Sequence, residues 1–265
     1  MEQIIAAILD TETTGTSKLD KVIEVAYLPL PALEDCATPL IATPTQEFIQ
    51  RYHTKVPINP FAQAVHGITP ADLIGKPPTA QLETDLAGLL GSSYWIGHKI
   101  DFDVRMTQYT LGKEFPDIRQ ICTHSLAVRL LTVEEKAQIE NLRLVTLAKF
   151  LFPEYSAEID TESHSALGDC SIVLMVLSEF IKRAAVVSWE DLWKLANSGK
   201  KEKKEKKLTG LQLLDCWPNF GQHKGESFSD IPERYLIWAR DNLNFTRPGG
   251  KDLLHTINHW ISKGK

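Results

Sequence analysis

Cysteine is scarce: four occur in 265 residues, Cys36, Cys122, Cys170 and Cys216, with no C-x-x-C pair among them. That scatter argues against a disulfide framework and against a cysteine-built zinc site. Long apolar runs are also missing. None is longer than Ile172 to Leu177, which stops at Ser178 and Glu179, far short of the ~20 residues that span a bilayer. The opening Met1-Glu2-Gln3 has no basic cluster, so no secretory leader and a cytoplasmic location are expected. Nor is there an excess of positive charge, since the net charge is −5. The distribution is uneven, however. Residues 200–265 hold 13 Lys and Arg against 8 Asp and Glu, whereas residues 1–199 hold 16 against 26. A metal site would lie in the acidic part, and the basic part could add affinity for phosphates or merely keep the protein soluble.

What is present reads as strands first, then strands alternating with helices. Ile4 to Leu9 is a branched apolar run that predicts a buried strand ending at Asp10. Thr13 to Ser17 reads as a turn. Val22–Leu28 and Glu47–His53 read as two further strands, and Tyr94–Gly97 and Arg119–Cys122 as the last two. Helices are expected from Asn59-Pro60 to Val65, at Thr69-Pro70, and over Thr79–Leu90 with a stop at Gly91. More are expected over Asp103–Leu111, Thr123–Leu131, from an Asn141 cap to Phe150, over Ala166–Ala185, and from a Ser188 cap to Ala196. This order predicts an α/β fold with a mixed five-stranded sheet and flanking helices. The run Gly199–Lys207 is charged and free of apolar residues, a linker signature. The expected division is a domain at 1–198, a linker at 199–207, and a small α+β module at 208–265 holding Trp217, Trp238 and Trp260.

Three places carry acidic residues suited to chemistry. Asp10 and Glu12 stand at i and i+2 of the first strand, so both point to one face. Two such carboxylates repel unless a cation lies between them, and hard cations prefer oxygen donors. The second place is His98-Lys99-Ile100-Asp101-Phe102-Asp103, which follows a strand and opens a helix. Spacing alone does not choose between Asp101 and Asp103, and an Asp there can simply cap the helix. The third is His164-Ser165-Ala166-Leu167-Gly168-Asp169, with Asp169 one turn into the long helix. Ala166 and Gly168 are small, which is expected to let that helix approach the sheet. Each place alone is common by chance. Together they suit two-metal phosphodiester hydrolysis, with a histidine able to take a proton near neutral pH.

The segments DTETTG, HKIDFD and HSALGD resemble the three motifs of the DnaQ-like DEDDh exonucleases, over roughly residues 1–185. The resemblance implies an RNase H-like fold and 3′→5′ exonuclease activity. It makes Asp10, Glu12, Asp103 and Asp169 the ligands of two divalent cations, Mg²⁺ or Mn²⁺, and His164 the general base. Asp103 rather than Asp101 matches because it follows Phe102. The resemblance further implies substrate contacts from Thr11, Thr13, Thr14, His66, Gly67, Ile68, His98 and Phe102. One departure is Lys99, where the family usually carries Asn. The segments NFGQHKG, FSDIP and YLIW resemble the C-terminal module of the exonuclease X-type branch. That branch implies 3′ ends of nucleic acid as partner, single-stranded DNA favoured over RNA, and no membrane. An RNA-directed exoribonuclease and a catalytically silent end-binding module are the competing readings.

Overall fold

The computed structural model describes residues 5–33, 47–90, 94–163, 165–198, 213–218, 220–221, 223–243, 245 and 250–263. The chain divides into two compact units, residues 1–199 and 200–265.

The first unit is built on five strands: β1 (Ala6–Thr13), β2 (Val22–Leu30), β3 (Phe48–Arg51), β4 (Tyr94–Gly97) and β5 (Arg119–Cys122). Their order is β3-β2-β1-β4-β5. The first three form an antiparallel meander, and β4 and β5 run parallel to β1. The helices are α1 (Pro60–His66), α2 (Leu82–Asp85), α3 (Ala87–Leu90), α4 (Asp101–Leu111), α5 (Thr123–Leu130), α6 (Val133–Gln138), α7 (Leu144–Leu151), α8 (Ser156–Glu162), α9 (Ala166–Ala184) and α10 (Trp189–Asn197). Both faces of β1 are covered. Ala6 and Ile8 join a core containing Val173, Val176 and Phe180 of α9, whereas Ala7 and Leu9 join Leu82, Leu86 and Val104 on the other face. Burial on both sides explains why the strand reads as an unbroken apolar run. Each large apolar side chain so buried contributes roughly 1.5–3 kcal/mol.

One feature of the register opens the site. Pairing of β1 with β4 ends at Ile8↔Ile96, while pairing with β2 continues to Thr13↔Val22. The half of β1 that holds Asp10 to Thr13 therefore stands free of β4. The strand runs through the acidic motif instead of ending at Asp10 as its apolar pattern suggested, because β2 continues to supply its backbone partners.

Other expectations also change. Thr79–Leu90 is a 3₁₀ turn followed by the separate segments α2 and α3. Leucine spacing reports the buried face and not continuity, and Thr79, Thr84 and Gly88 are weak helix formers. Thr69-Pro70 opens only a 3₁₀ turn over Pro70–Leu73. Asn141 accepts a hydrogen bond from the Arg143 N–H at 2.9 Å, and α7 begins only at Leu144. Gly168 serves a different neighbour from the one expected: a Cβ there would lie 1.8 Å from the Glu162 carbonyl oxygen, so its smallness accommodates the end of α8. Two short helices, α6 and α8, were not anticipated, although Thr132 and Glu135 form a capping box at the start of α6. Among the described residues, no helix is long and apolar enough to cross a membrane.

The second unit has its own core, where Trp217, Phe228, Ile231 and Leu236 meet Leu253 and Ile257. It carries α11 (Glu233–Asn242) and α12 (Gly250–Ser262). Its described strand content is one antiparallel bridge, Cys216↔Ser227. Trp238 stands outside this core and is 50% exposed. The expected linker, residues 199–207, lies outside the described residues.

Candidate active site

Asp10 and Glu12 project from β1 toward the face covered by α9, and Asp169 lies in the first turn of that helix. One carboxylate oxygen from each of the three lies within 4.8 Å of the others. Ser165 fixes the start of α9 by accepting from the Gly168 N–H at 3.1 Å. The Ala166 N–H donates to Glu24 Oε1 of β2 at 3.4 Å. These two bonds tie the beginning of the helix, and hence Asp169, to the sheet.

Asp103 reaches the same region from the opposite face. It is buried, and its Oδ1 accepts from the Thr11 backbone N–H at 3.0 Å and the Thr11 hydroxyl at 2.8 Å. It does not cap α4, which already begins at Asp101. Asp101 has a 71% exposed side chain near Arg105. A sequence ambiguity thus becomes a physical difference between one buried carboxylate at the strand and one in solvent.

The electrostatics follow from crowding. Burial, and then Asp103, Asp169, Glu12 and Glu24, push the Asp10 carboxyl well above its ordinary range. Burial, followed by Asp169, Glu24 and Asp103, pushes Glu12 up to about 8. Burial raises Asp103 to about 7, opposed by the hydrogen bonds from Thr11. Among the described residues, no ion pair involves Asp10, Glu12 or Asp103. An all-oxygen cluster whose members repel one another fits a hard divalent ion.

The remaining expected residues are placed as follows. Thr13 is buried, its hydroxyl donating to the Gly15 carbonyl at 2.7 Å. The Thr14 hydroxyl donates to Asp20 Oδ1 at 2.9 Å, and its carbonyl accepts from the Asn59 N–H at 2.8 Å. The motif loop is thereby bound to the start of α1. His66 ends α1, and its Nδ1 accepts from the Ile68 N–H at 3.0 Å. Burial holds its imidazole below the ordinary value, opposed by the neighbouring Thr13 backbone. Gly67 takes a left-handed φ of 70°, and Ile68 is buried with Ile23 and Leu73. Phe102 packs in the core beneath α4. His98 has both ring nitrogens engaged, Nε2 by the Leu142 carbonyl at 2.9 Å and Nδ1 by the Thr123 hydroxyl at 3.0 Å. A carbonyl can only accept, so Nε2 carries the proton, and burial pushes this imidazole down to about 4. Its hydrogen bonds make it a brace between β4, α5 and the segment before α7. His164 lies outside the described residues.

Two residues near the site carried no motif signal. Glu24 is directly opposite Glu12 across β1 and β2, and is buried. Its Oε2 accepts from Arg51 Nε at 2.5 Å. The only trace in the sequence is an acid inside the apolar stretch VIEVAY, which a buried strand tolerates only with a partner.

The RNase_T exonuclease family matches residues 7–177. The chain belongs to that family and is a 3′→5′ exonuclease. It is 26% identical over 257 residues to exodeoxyribonuclease 10 of Escherichia coli strain K12, covering 96% of this chain and 97% of that protein. Among solved structures it is similar to exonuclease X in complex with 5′ overhanging duplex DNA. That match has TM-score 0.52 and 23% identity over 72% of this chain and 99% of the other. It is also similar to the zinc-bound E. coli ExoI–ssDNA complex, with TM-score 0.51 and 17% identity over 67% and 40% of the two chains. These likenesses agree with the mixed sheet and flanking helices of the RNase H-like fold.

Proposed function

We propose that the chain is a two-metal-ion 3′→5′ exonuclease that removes nucleotides from the 3′ end of single-stranded DNA as 5′-monophosphates. The observation that carries this reading is the convergence of Asp10, Glu12 and Asp169 from two elements, with one carboxylate oxygen of each within 4.8 Å of the others. Asp103, held at Thr11 beside Asp10, is the fourth ligand. Two bound ions, Mg²⁺ or Mn²⁺, would activate a water and stabilise charge on the attacking and leaving oxygens. The chain's own residues hold the ligand oxygens in place and keep them desolvated. His164 takes the proton of the attacking water. The bond from phosphorus to the 3′ oxygen of the preceding nucleotide breaks, leaving a new 3′ hydroxyl on the strand. Thr11, Thr13, Thr14 and the His66-Gly67-Ile68 segment contact the terminal nucleotide, with Phe102 beneath. His98 acts at a distance by bracing the loop that carries Asp103.

The preference for DNA is supported by the name of the 26% identical relative, exodeoxyribonuclease 10. The test is digestion of matched end-labelled DNA and RNA oligomers in Mg²⁺ and in EDTA. A metal-dependent ladder from the 3′ end, faster on DNA, is expected. Faster RNA digestion would move the substrate to RNA, and binding with no turnover in either metal would sink the catalytic reading. Within that assay, Asp103→Asn should abolish digestion and Asp101→Asn should leave most of it.

A further inference from the structure

A second charged feature adjoins the carboxylates, and the motifs do not account for it. Glu12, Glu24 and Arg51 are paired residues on three adjacent strands, so their side chains stand in one row on one face. With strands ~4.8 Å apart, Arg51 lies roughly 10 Å from Glu12 across the sheet. Beside it is a cleft of about 340 Å³ lined by Glu24, Ile49, Gln50, Arg51 and Lys76. Glu24 is the one acid in that lining, and Arg51 neutralises it through Nε alone. Among the described residues the two Nη groups of Arg51 have no hydrogen-bond partner, and neither does the exposed Lys76 ammonium. The charges of Arg51 and Lys76 reach a common neighbour. Both help to hold the Asp72 carboxyl below its ordinary value, behind the larger effect of its bonds from Thr69. Arg51 also acts on His66.

We infer that this cleft binds a backbone phosphate of the substrate strand, upstream of the bond being cut. The guanidinium offers the fork geometry that a phosphodiester accepts, and Lys76 offers a point charge opposite it. The buried Glu24 holds Arg51 through Nε and leaves its two Nη groups for a ligand. The cleft lies along the same row as Glu12, so a strand whose terminal nucleotide sits at the carboxylates has a phosphate within its reach. This inference rests on the exonuclease reading only for the direction of the strand.

The experiment measures binding and turnover separately. Anisotropy of a labelled oligothymidylate, with calcium in place of magnesium, gives Kd without hydrolysis. Turnover is followed on the same oligomer and on the p-nitrophenyl ester of thymidine 5′-monophosphate, which carries only the scissile phosphate. Lys76→Glu should weaken oligomer Kd and raise oligomer KM by about tenfold, the value of one charged hydrogen bond. It should lower the salt slope of log Kd by about one and leave the ester's kcat/KM unchanged. Lys76→Arg should restore the oligomer values. Arg51→Lys, which keeps a cation beside Glu24, should show the same oligomer-only loss in smaller measure. An unchanged Kd in Lys76→Glu, or equal losses on oligomer and ester, overturns the cleft. Absence of hydrolysis by the unmodified chain, with the Kd changes intact, overturns the exonuclease reading instead.

Discussion

Glu12 and Glu24 face each other across β1 and β2, and the protein treats them in opposite ways. Glu24 has Arg51 against it. Glu12 has no ion pair among the described residues, and burial, followed by the acids around it, pushes it up to about 8. A buried carboxylate with a protein cation is part of the architecture. One without such a cation costs stability until something from solution supplies the charge. The row thus separates an interaction that holds the sheet edge from one that awaits a ligand, within adjacent strands of the same sheet.

The largest test of that contrast is Asp10→Asn. Activity should fall roughly a thousandfold, since several kcal/mol of transition-state stabilisation are removed. In EDTA the same variant should melt higher than the unmodified chain, because a repelling charge has gone. A lower melting temperature would show that the cluster is already compensated.

Arg51→Met tests the other end of the row. It strands the buried Glu24 charge and should cost about 3 kcal/mol in urea unfolding. If it costs nothing, the two glutamates are not different in kind.

Metal binding should sharpen the comparison further. At pH 7 the metal-free Glu12 holds a proton, which an incoming ion must displace. Titration calorimetry of Mg²⁺ in buffers of different ionisation enthalpy should therefore show proton release. Without metal, the folded chain holds Glu12 protonated above its ordinary value of 4.5. This contribution is fully present below that value and is lost as pH rises toward 8. Melting temperature in EDTA should fall across that window, and Mg²⁺ should flatten the fall. Equal heats in all buffers would contradict the proposed protonation.

The smallest effect concerns Lys99, which takes a left-handed φ of 66° in the turn that carries the second motif. Asn and Gly adopt that conformation more easily than Lys. Lys99→Gly should raise stability by about 1 kcal/mol. No change in melting temperature would show that the turn carries no strain.

Much of the fold was legible because its strands are short apolar runs with clear ends. Tyr94–Gly97 and Arg119–Cys122 were read at their observed bounds. The helix over Thr79–Leu90 was not, since leucine spacing is the same in one helix and in two short ones sharing a face.

By itself, the sequence determined that Asp10 and Glu12 share a face, because period two is a property of any strand. It also placed Asp169 in the first turn of the long helix. Only the tertiary structure decided that β1 outruns β4 and so opens a rim for these carboxylates. It alone buried Asp103 against Thr11 while leaving Asp101 in solvent. It alone set Arg51, 27 positions along the chain, against Glu24. Such pairings depend on which strands become neighbours, and no local spacing encodes that.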